Sequence, residues 1–232
     1  MQAKPNNYLR ENLAEVRRNI ERAAKKVSRN PNEIKLIAVS KTHPTEILRS
    51  AIEAGASVFG ENKVQEAESK ILEIGRETVE WHLIGHLQSN KARKAVKLFD
   101  CIQTLDSVEL AIKLERICIE EERENLSVLA QVDLANEATK SGVSEKDLPY
   151  LIKFLQTCEC LKFKGLMIIP PFFEDAEKVR PFFQRLREIR DEILPNGELS
   201  MGMSHDFEVA VEEGATLVRI GTAIFGERQP KV

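Results

Sequence analysis

Lys41 is the first residue with reactive potential. It directly follows Ile34-Lys35-Leu36-Ile37-Ala38-Val39-Ser40, a run that is apolar on both parities at its centre. An amine at the end of a buried run loses hydration and is pushed towards its neutral form, which is the form that attacks an aldehyde. The competing role for such a lysine is to snorkel from the rim to water. Two other segments favour the chemical role. Gly202-Met203-Ser204 and Gly221-Thr222 each join a glycine, which lets the backbone approach an anion, to a hydroxyl donor at the start of a helix. Free amides and the helix dipole favour negative charge there. Each pair alone is an ordinary N-cap. Together, beside a strand-ending lysine, they describe a seat for a phosphate-bearing aldehyde.

Arg219 shares strand parity with Leu217 and Gly221 in an otherwise apolar stretch. A guanidinium in that setting needs acceptors, and the candidates are an internal ion pair with Glu61 or Asp133 and a contact to a ligand. Asn62, after Phe59-Gly60-Glu61, offers an amide to a ligand or caps a helix. His82 reads as a satisfied core or rim histidine. Ser204-His205-Asp206 has the composition of a hydrolase triad, but consecutive side chains cannot converge into the required relay.

These residues need a scaffold that brings the ends of strands together. A leading amphipathic helix is marked by Leu9, Leu13, Val16, Ile20, Ala23, Ala24 and Val27 at three- and four-residue steps. After the first strand, at 34–40, a helix opens at Pro44 and ends near Gly55. Further strands are expected at Ser57 to Gly60, Trp81 to Gly85, Cys101 to Leu105, Ser127 to Leu134, Lys164 to Ile169, Glu198 to Met201 and Leu217 to Ile220. The intervening helices run from Lys63 to Ile74, Asn90 to Leu98, Ser107 to Glu122, Glu145 to Leu155, Pro170-Pro171 to Leu194 and His205 to Glu213, with a closing turn at Thr222 to Phe225. Eight such alternations with short turns predict an α/β fold, a single (β/α)8 TIM barrel with an extra N-terminal helix, spanning residues 1–232 as one domain. An open doubly wound sheet would carry a glycine-rich turn after its first strand, and Ser40-Lys41-Thr42-His43-Pro44-Thr45 has no glycine.

Composition narrows the partners. Hydrophobic residues make up 42% and charged residues 31% of the chain, as in ordinary globular proteins. The formal net charge of −3, with basic residues scattered among acidic ones, argues against nucleic acid. No long apolar span and no apolar block near the N-terminus are present, so the expectation is a cytoplasmic protein that does not engage membranes. A monomer is expected, although nothing in the sequence itself sets the oligomeric state. Cys101, Cys118, Cys158 and Cys160 are expected as reduced thiols, and His43, His82, His86 and His205 fall into no metal-ligand spacing.

At these residues the sequence resembles the pyridoxal-phosphate homeostasis proteins of the YggS/PROSC type, related to the N-terminal barrel of alanine racemase. The matching stretches are IKLIAVSKTHP, FGENKVQE, WHLIGHLQSNK, KSGV, GLMIIPP, LSMGMSHDFEVAVEEGATLVRIG and TAIFG, which span nearly the whole chain. The resemblance implies a fold-type III barrel that binds pyridoxal 5'-phosphate (PLP) as a Schiff base to Lys41. Ser204, Gly221 and Thr222 would hold the phosphate, Asn62 would lie beside the cofactor, and Arg219 would face the pyridine nitrogen, leaving it unprotonated and weakening the ring as an electron sink. His86 and His205 depart from the pattern, standing where many relatives carry a proline and an acidic or amide residue.

Fold relatives that racemise amino acids complete their site with a second, mostly β domain, which this chain has no residues left to build. Its only tyrosines, Tyr8 and Tyr150, lie on helices rather than at strand ends, so a proton-transfer group opposite Lys41 is hard to find. The expectation is a carrier or regulator in PLP homeostasis without robust turnover, with PLP-dependent apo-enzymes as recipients. The alternative is a PLP-dependent racemase or a Schiff-base aldolase. Lys140, in the KSGV loop, is a solvated lysine with a second expected role in capturing PLP in transit.

Overall fold

The structure, a computed structural model, describes residues 7–135 and 141–227. The apolar repeat of the first helix folds as α1 (Asn7–Lys26). Its Leu9, Leu13, Val16, Ile20, Ala23 and Ala24 are all buried, so one stripe of the helix faces the protein. Asn12 and Arg29 tie α1 and the turn after it to the end of the chain. The Asn12 amide donates to Ile224 O at 2.9 Å, and Arg29 donates to Val211 O at 2.6 Å and Ala215 O at 2.9 Å.

Strands β1 (Lys35–Val39), β2 (Val58–Glu61), β3 (Glu80–Leu83), β4 (Cys101–Leu105) and β5 (Leu126–Asp133) follow, separated by α2 (Thr45–Glu53), α3 (Val64–Ile74), α4 (Ala92–Leu98) and α5 (Val108–Glu120). The second half adds β6 (Val143–Ser144), α6 (Leu148–Leu155), β7 (Leu161–Met167), α7 (Arg180–Ile193), β8 (Glu198–Met203), α8 (Phe207–Glu212), β9 (Leu217–Ile220) and α9 (Thr222–Phe225). All pairings are parallel. β1 pairs with both β2 and β9, and β4 with β5, so the eight long strands close into a barrel while β6 adds to the edge of β5.

The core has two compartments. Large side chains such as Phe59, Trp81, Leu83, Phe99 and Phe183 fill the space between strands and helices. Inside the barrel sits a separate apolar plug of Ile37, Val58, Cys101, Leu129, Met167 and Leu217. Strand alternation sends neighbouring residues to these two compartments.

Several expected boundaries are corrected. The sixth barrel strand begins at Leu161, not Lys164, because Lys162 and Lys164 alternate with inward residues and do not end the run. The seventh continues past Met201 to Met203. The two-residue β6 was not anticipated. The helix expected directly after Pro170-Pro171 starts only at Arg180, where Pro181 takes a first-turn position, preceded by a 3-10 turn at Ala176–Val179 that the Asp175 side chain caps. No helix among the described residues is long and apolar enough to cross a membrane.

Candidate functional site

The strand bearing Lys41 is held on both sides of that residue. Ser40, fully buried, donates its hydroxyl to Glu61 Oε1 at 2.6 Å, and its carbonyl accepts from Lys70 Nζ at 2.8 Å. Lys70 also donates to Glu61 Oε1 and Glu66 Oε1, both at 2.7 Å. On the other side, Thr42 adopts φ +71°, a left-handed conformation that is strained for a β-branched residue. Its amide donates to Glu66 Oε1. A cluster anchored on α3 therefore fixes the backbone from which the half-buried Lys41 side chain springs.

Opposite lies the β8 turn. Gly202 has φ +90°, and a Cβ there would come within 2.5 Å of Ala210 Cβ and 2.9 Å of Phe207 Cα. Glycine is the residue that meets both demands. The turn is closed by Asp206, whose Oδ1 accepts from Met203 N at 2.6 Å and whose carboxyl is pushed up by burial. Ser204 then presents its Oγ to the amides of Gly221 and Ala223, each at 3.3 Å, and so joins the loops after β8 and β9.

Between these two sides is a cavity of about 260 Å³, just under the range of drug-sized ligand pockets and suited to a single-ring compound. Lys41, Asn62, Ser204, Arg219, Gly221 and Thr222 all line it, so the structure brings together every site residue singled out from the sequence. It also places His43, Ile84, Ile169, Met203 and His205 on the wall, none of which was assigned to the site. His43 could have been found by its position two residues after Lys41. Ile84 directly follows β3 and Ile169 lies two residues past β7, and the barrel rule about strand ends points to them.

Of the two partners considered for Arg219, an internal ion pair and a ligand contact, the ion pair with Glu61 or Asp133 is not formed. It is 3% exposed and donates to Ser200 Oγ at 2.6 Å and to Ile168 O at 2.8 Å, both neutral acceptors. Glu61 is turned away from it. Gly60 is the inward residue, since a Cβ there would meet Ile37 and Ile84, so Glu61 faces α3 and pairs with Lys70. Asp133 caps its own turn at Ala135 N. Asp206 acts on Arg219 through space without an ion-pair contact, and burial pulls the guanidinium down to about 10. The cavity thus contains a buried cation with no carboxylate against it among the described residues. Asn62 Oδ1, on the same cavity, is buried without a hydrogen-bond partner. A buried cation without a contacting carboxylate, an amine, an unpaired amide oxygen and hydroxyl-bearing loops fit a small anionic ring compound.

Among the remaining residues, His82 is buried and satisfied on both ring nitrogens, by Glu80 and Gln103. His205 Nε2 reaches the carbonyls of Phe173 and Glu174, and His86 lies near Ser141 and Asp106. The Cys158 thiol is pushed up to about 12 by burial, and no cluster of metal-ligating side chains occurs among the described residues. Lys140 lies outside the described residues.

The family model described as the N-terminal domain of alanine racemase matches residues 12–229, which sets the class of barrel. Alanine racemase from Corynebacterium glutamicum shares that fold, with a TM-score of 0.68 at 18% identity over 95% of this chain and 60% of its own. Nearer relatives are the pyridoxal phosphate homeostasis proteins of Aquifex aeolicus, 42% identical over 94% of this chain and 98% of that one, and of Escherichia coli K12, 41% identical over 96% and 97%. The structure of PipY from Synechococcus elongatus PCC7942 with PLP bound is 41% identical, covers 90% of this chain and 100% of that one, and has a TM-score of 0.78. Within the alanine racemase N-terminal-domain class, the chain belongs to the pyridoxal phosphate homeostasis protein family.

Proposed function

We propose that this chain binds PLP as a Schiff base through Lys41 and acts in PLP homeostasis as a cytoplasmic carrier or regulator without robust catalysis. The observation that carries the reading is the convergence of Lys41, Arg219 and the Ser204 and Gly221-Thr222 loops on one small cavity whose buried guanidinium has no carboxylate in contact with it among the described residues. PLP supplies an aldehyde for the amine, a phosphate for the loops and a ring nitrogen for Arg219. Thr222 and the Gly221 amide hold the phosphate beside Ser204, and Asn62 meets a polar group of the ring. The whole chain, 1–232, works as a single PLP-binding domain and a monomer, and PLP-dependent apo-enzymes receive the cofactor.

Limited turnover follows from what stands opposite Lys41. Tyr8 and Tyr150 are exposed on α1 and α6 and do not line the cavity. His205 is engaged by backbone carbonyls, and His43 stacks on Phe225 with ring centroids 4.8 Å apart. Neither is held as a free base facing the amine. The test is a visible spectrum of the purified protein with added PLP. Yellow colour that is fixed by borohydride and lost in Lys41→Ala supports the reading, while racemisation of alanine at the rate of a dedicated enzyme overturns the carrier role.

A further inference from the structure

Behind Arg219 a file of polar side chains crosses the barrel to its opposite end. Arg219 Nη1 donates to Ser200 Oγ at 2.6 Å, and Ser200 Oγ donates to Gln103 Oε1 at 2.6 Å. Gln103 Nε2 lies 2.7 Å from His82 Nδ1, and His82 Nε2 lies 2.7 Å from Glu80 Oε1. Lys35 Nζ sits 3.0 Å from both Glu80 oxygens. Ser200, Gln103 and His82 are buried, whereas Glu80 and Lys35 reach solvent at the first residues of β3 and β1. Neither Ser200, Gln103, His82 nor Glu80 lines the cavity.

The sense of every bond follows from the end at Arg219. A guanidinium can only donate, so Ser200 Oγ accepts from it and has its own proton to give. That proton goes to the Gln103 carbonyl oxygen, which leaves the Gln103 amide N–H facing His82 Nδ1. Nδ1 must then accept, so the His82 proton sits on Nε2 and is donated to Glu80. Lys35 beside Glu80, and Glu198 on β8, are the other charges that act on this floor end of the file.

Filling the barrel does not require these groups. The rest of the interior is closed by the apolar plug of Ile37, Val58, Cys101, Leu129, Met167 and Leu217, and buried polar side chains are costly unless every partner is met. Here each side chain meets the next, in one direction, and the file ends on Arg219, a buried arginine that lines the cavity. We propose that Ser200, Gln103 and His82 are positioning residues that hold Arg219 as a fixed donor to the ring of the bound ligand, and that ligand binding is felt along the file as far as His82. The proposal rests on the reading of the cavity as a PLP site. Bonds in such chains polarise one another, by about 10–30% each, so a new acceptor at Arg219 alters the bonds behind it.

The experiment uses the full chain labelled with 15N-histidine, titrated with PLP and followed by histidine ring NMR together with PLP absorbance. The free protein should show His82 with a single ring proton on Nε2. PLP should shift the His82 signals although His82 does not touch the cavity. Gln103→Leu should weaken PLP binding about tenfold, as loss of one buried hydrogen bond does, and abolish the shift. Gln103→Glu keeps an acceptor for Ser200 but turns a second acceptor towards Nδ1. It should bind PLP within about threefold of wild type while His82 gains a second proton. His82 signals unmoved in a protein that turns yellow with PLP overturn the proposal and leave the cofactor reading intact, as does a doubly protonated His82 in the wild type. A wild-type protein that takes up no PLP removes both. If Gln103→Leu does not fold, Gln103→Glu decides, and an unchanged His82 there overturns the proposal.

Discussion

The Lys70 ammonium lies 2.7 Å from Glu61 Oε1, with side chains only 6% and 0% exposed. Burial pushes the Glu61 carboxyl up, and Lys70 opposes that rise by charge and by hydrogen bond. Because the same ammonium holds the Ser40 carbonyl, the pair connects α3 to the strand end that presents Lys41. Removing one partner leaves an uncompensated buried charge, which costs about 3–5 kcal/mol. Lys70→Met should therefore lower the free energy of unfolding in urea by that amount. Lys70→Met combined with Glu61→Leu should recover more than 1 kcal/mol of the summed losses, because the charges then disappear together. Additive losses would show that the two side chains are not coupled.

Thr42 lies on the other side of Lys41 with its strained φ of +71°, and its side chain is exposed. Thr42→Gly relieves a left-handed conformation that costs a non-glycine residue about 1–2 kcal/mol, and returns about half of that as chain entropy in the unfolded state. The variant should gain about 0.5–1 kcal/mol, or roughly 2 °C in Tm for a chain of this size. A calorimetric melt showing a lower Tm would mean that the Thr42 side chain contributes more than its exposure suggests.

The scaffold was largely legible because each strand and helix carries its own periodicity and because loops of this fold end on one face. Lys41, Asn62, Arg219 and the two glycine–hydroxyl loops could be nominated on that rule alone. The choice between an ion pair and a ligand contact for Arg219 was not legible. The ion pair with Glu61 drops out only once Gly60, one residue earlier, is seen to be the inward position, so that Glu61 has to face α3. The polar file behind Arg219 was also illegible. Gln103 and Ser200 are neutral residues 97 positions apart, and only closure of the barrel brings them together. His82 read correctly as a satisfied histidine, but its partner Gln103 could not be named without the register that sets β3 beside β4.

Gly202 tests the turn that carries Ser204. Gly202→Ala would place a Cβ in a left-handed conformation and against Ala210 and Phe207 on α8. The conformational and packing penalties together amount to about 2–4 kcal/mol. Since relief of the clash requires the turn to move away from α8, Ser204 should lose its place beside the Gly221 and Ala223 amides. PLP affinity should fall at least tenfold, by about 1.4 kcal/mol or more, beyond the loss of stability. Unchanged affinity in a folded Gly202→Ala protein would separate Ser204 from phosphate binding.

Glu80 closes the floor of the barrel and gives the fold a pH signature. Its carboxyl is held down at about 2, first by the His82 hydrogen bond and further by Lys35, against the burial that would raise it. In the unfolded chain a glutamate titrates near 4.3, or about two units higher. A native pKa below the unfolded one means that the stabilisation is complete above about pH 4.3 and is lost as the pH falls through about 2. Glu80→Gln removes that stabilisation while keeping the side chain's length. Melting temperatures measured from pH 7 to pH 2 should therefore show the variant below the wild type near neutrality, with the two curves converging in the acid range. His82→Asn should narrow the acid dependence as well, since the first cause of the lowered pKa is gone. A gap between wild type and Glu80→Gln that stays constant with pH would show that the ionised carboxylate contributes nothing, and that Glu80 serves only as a neutral acceptor at the end of the file.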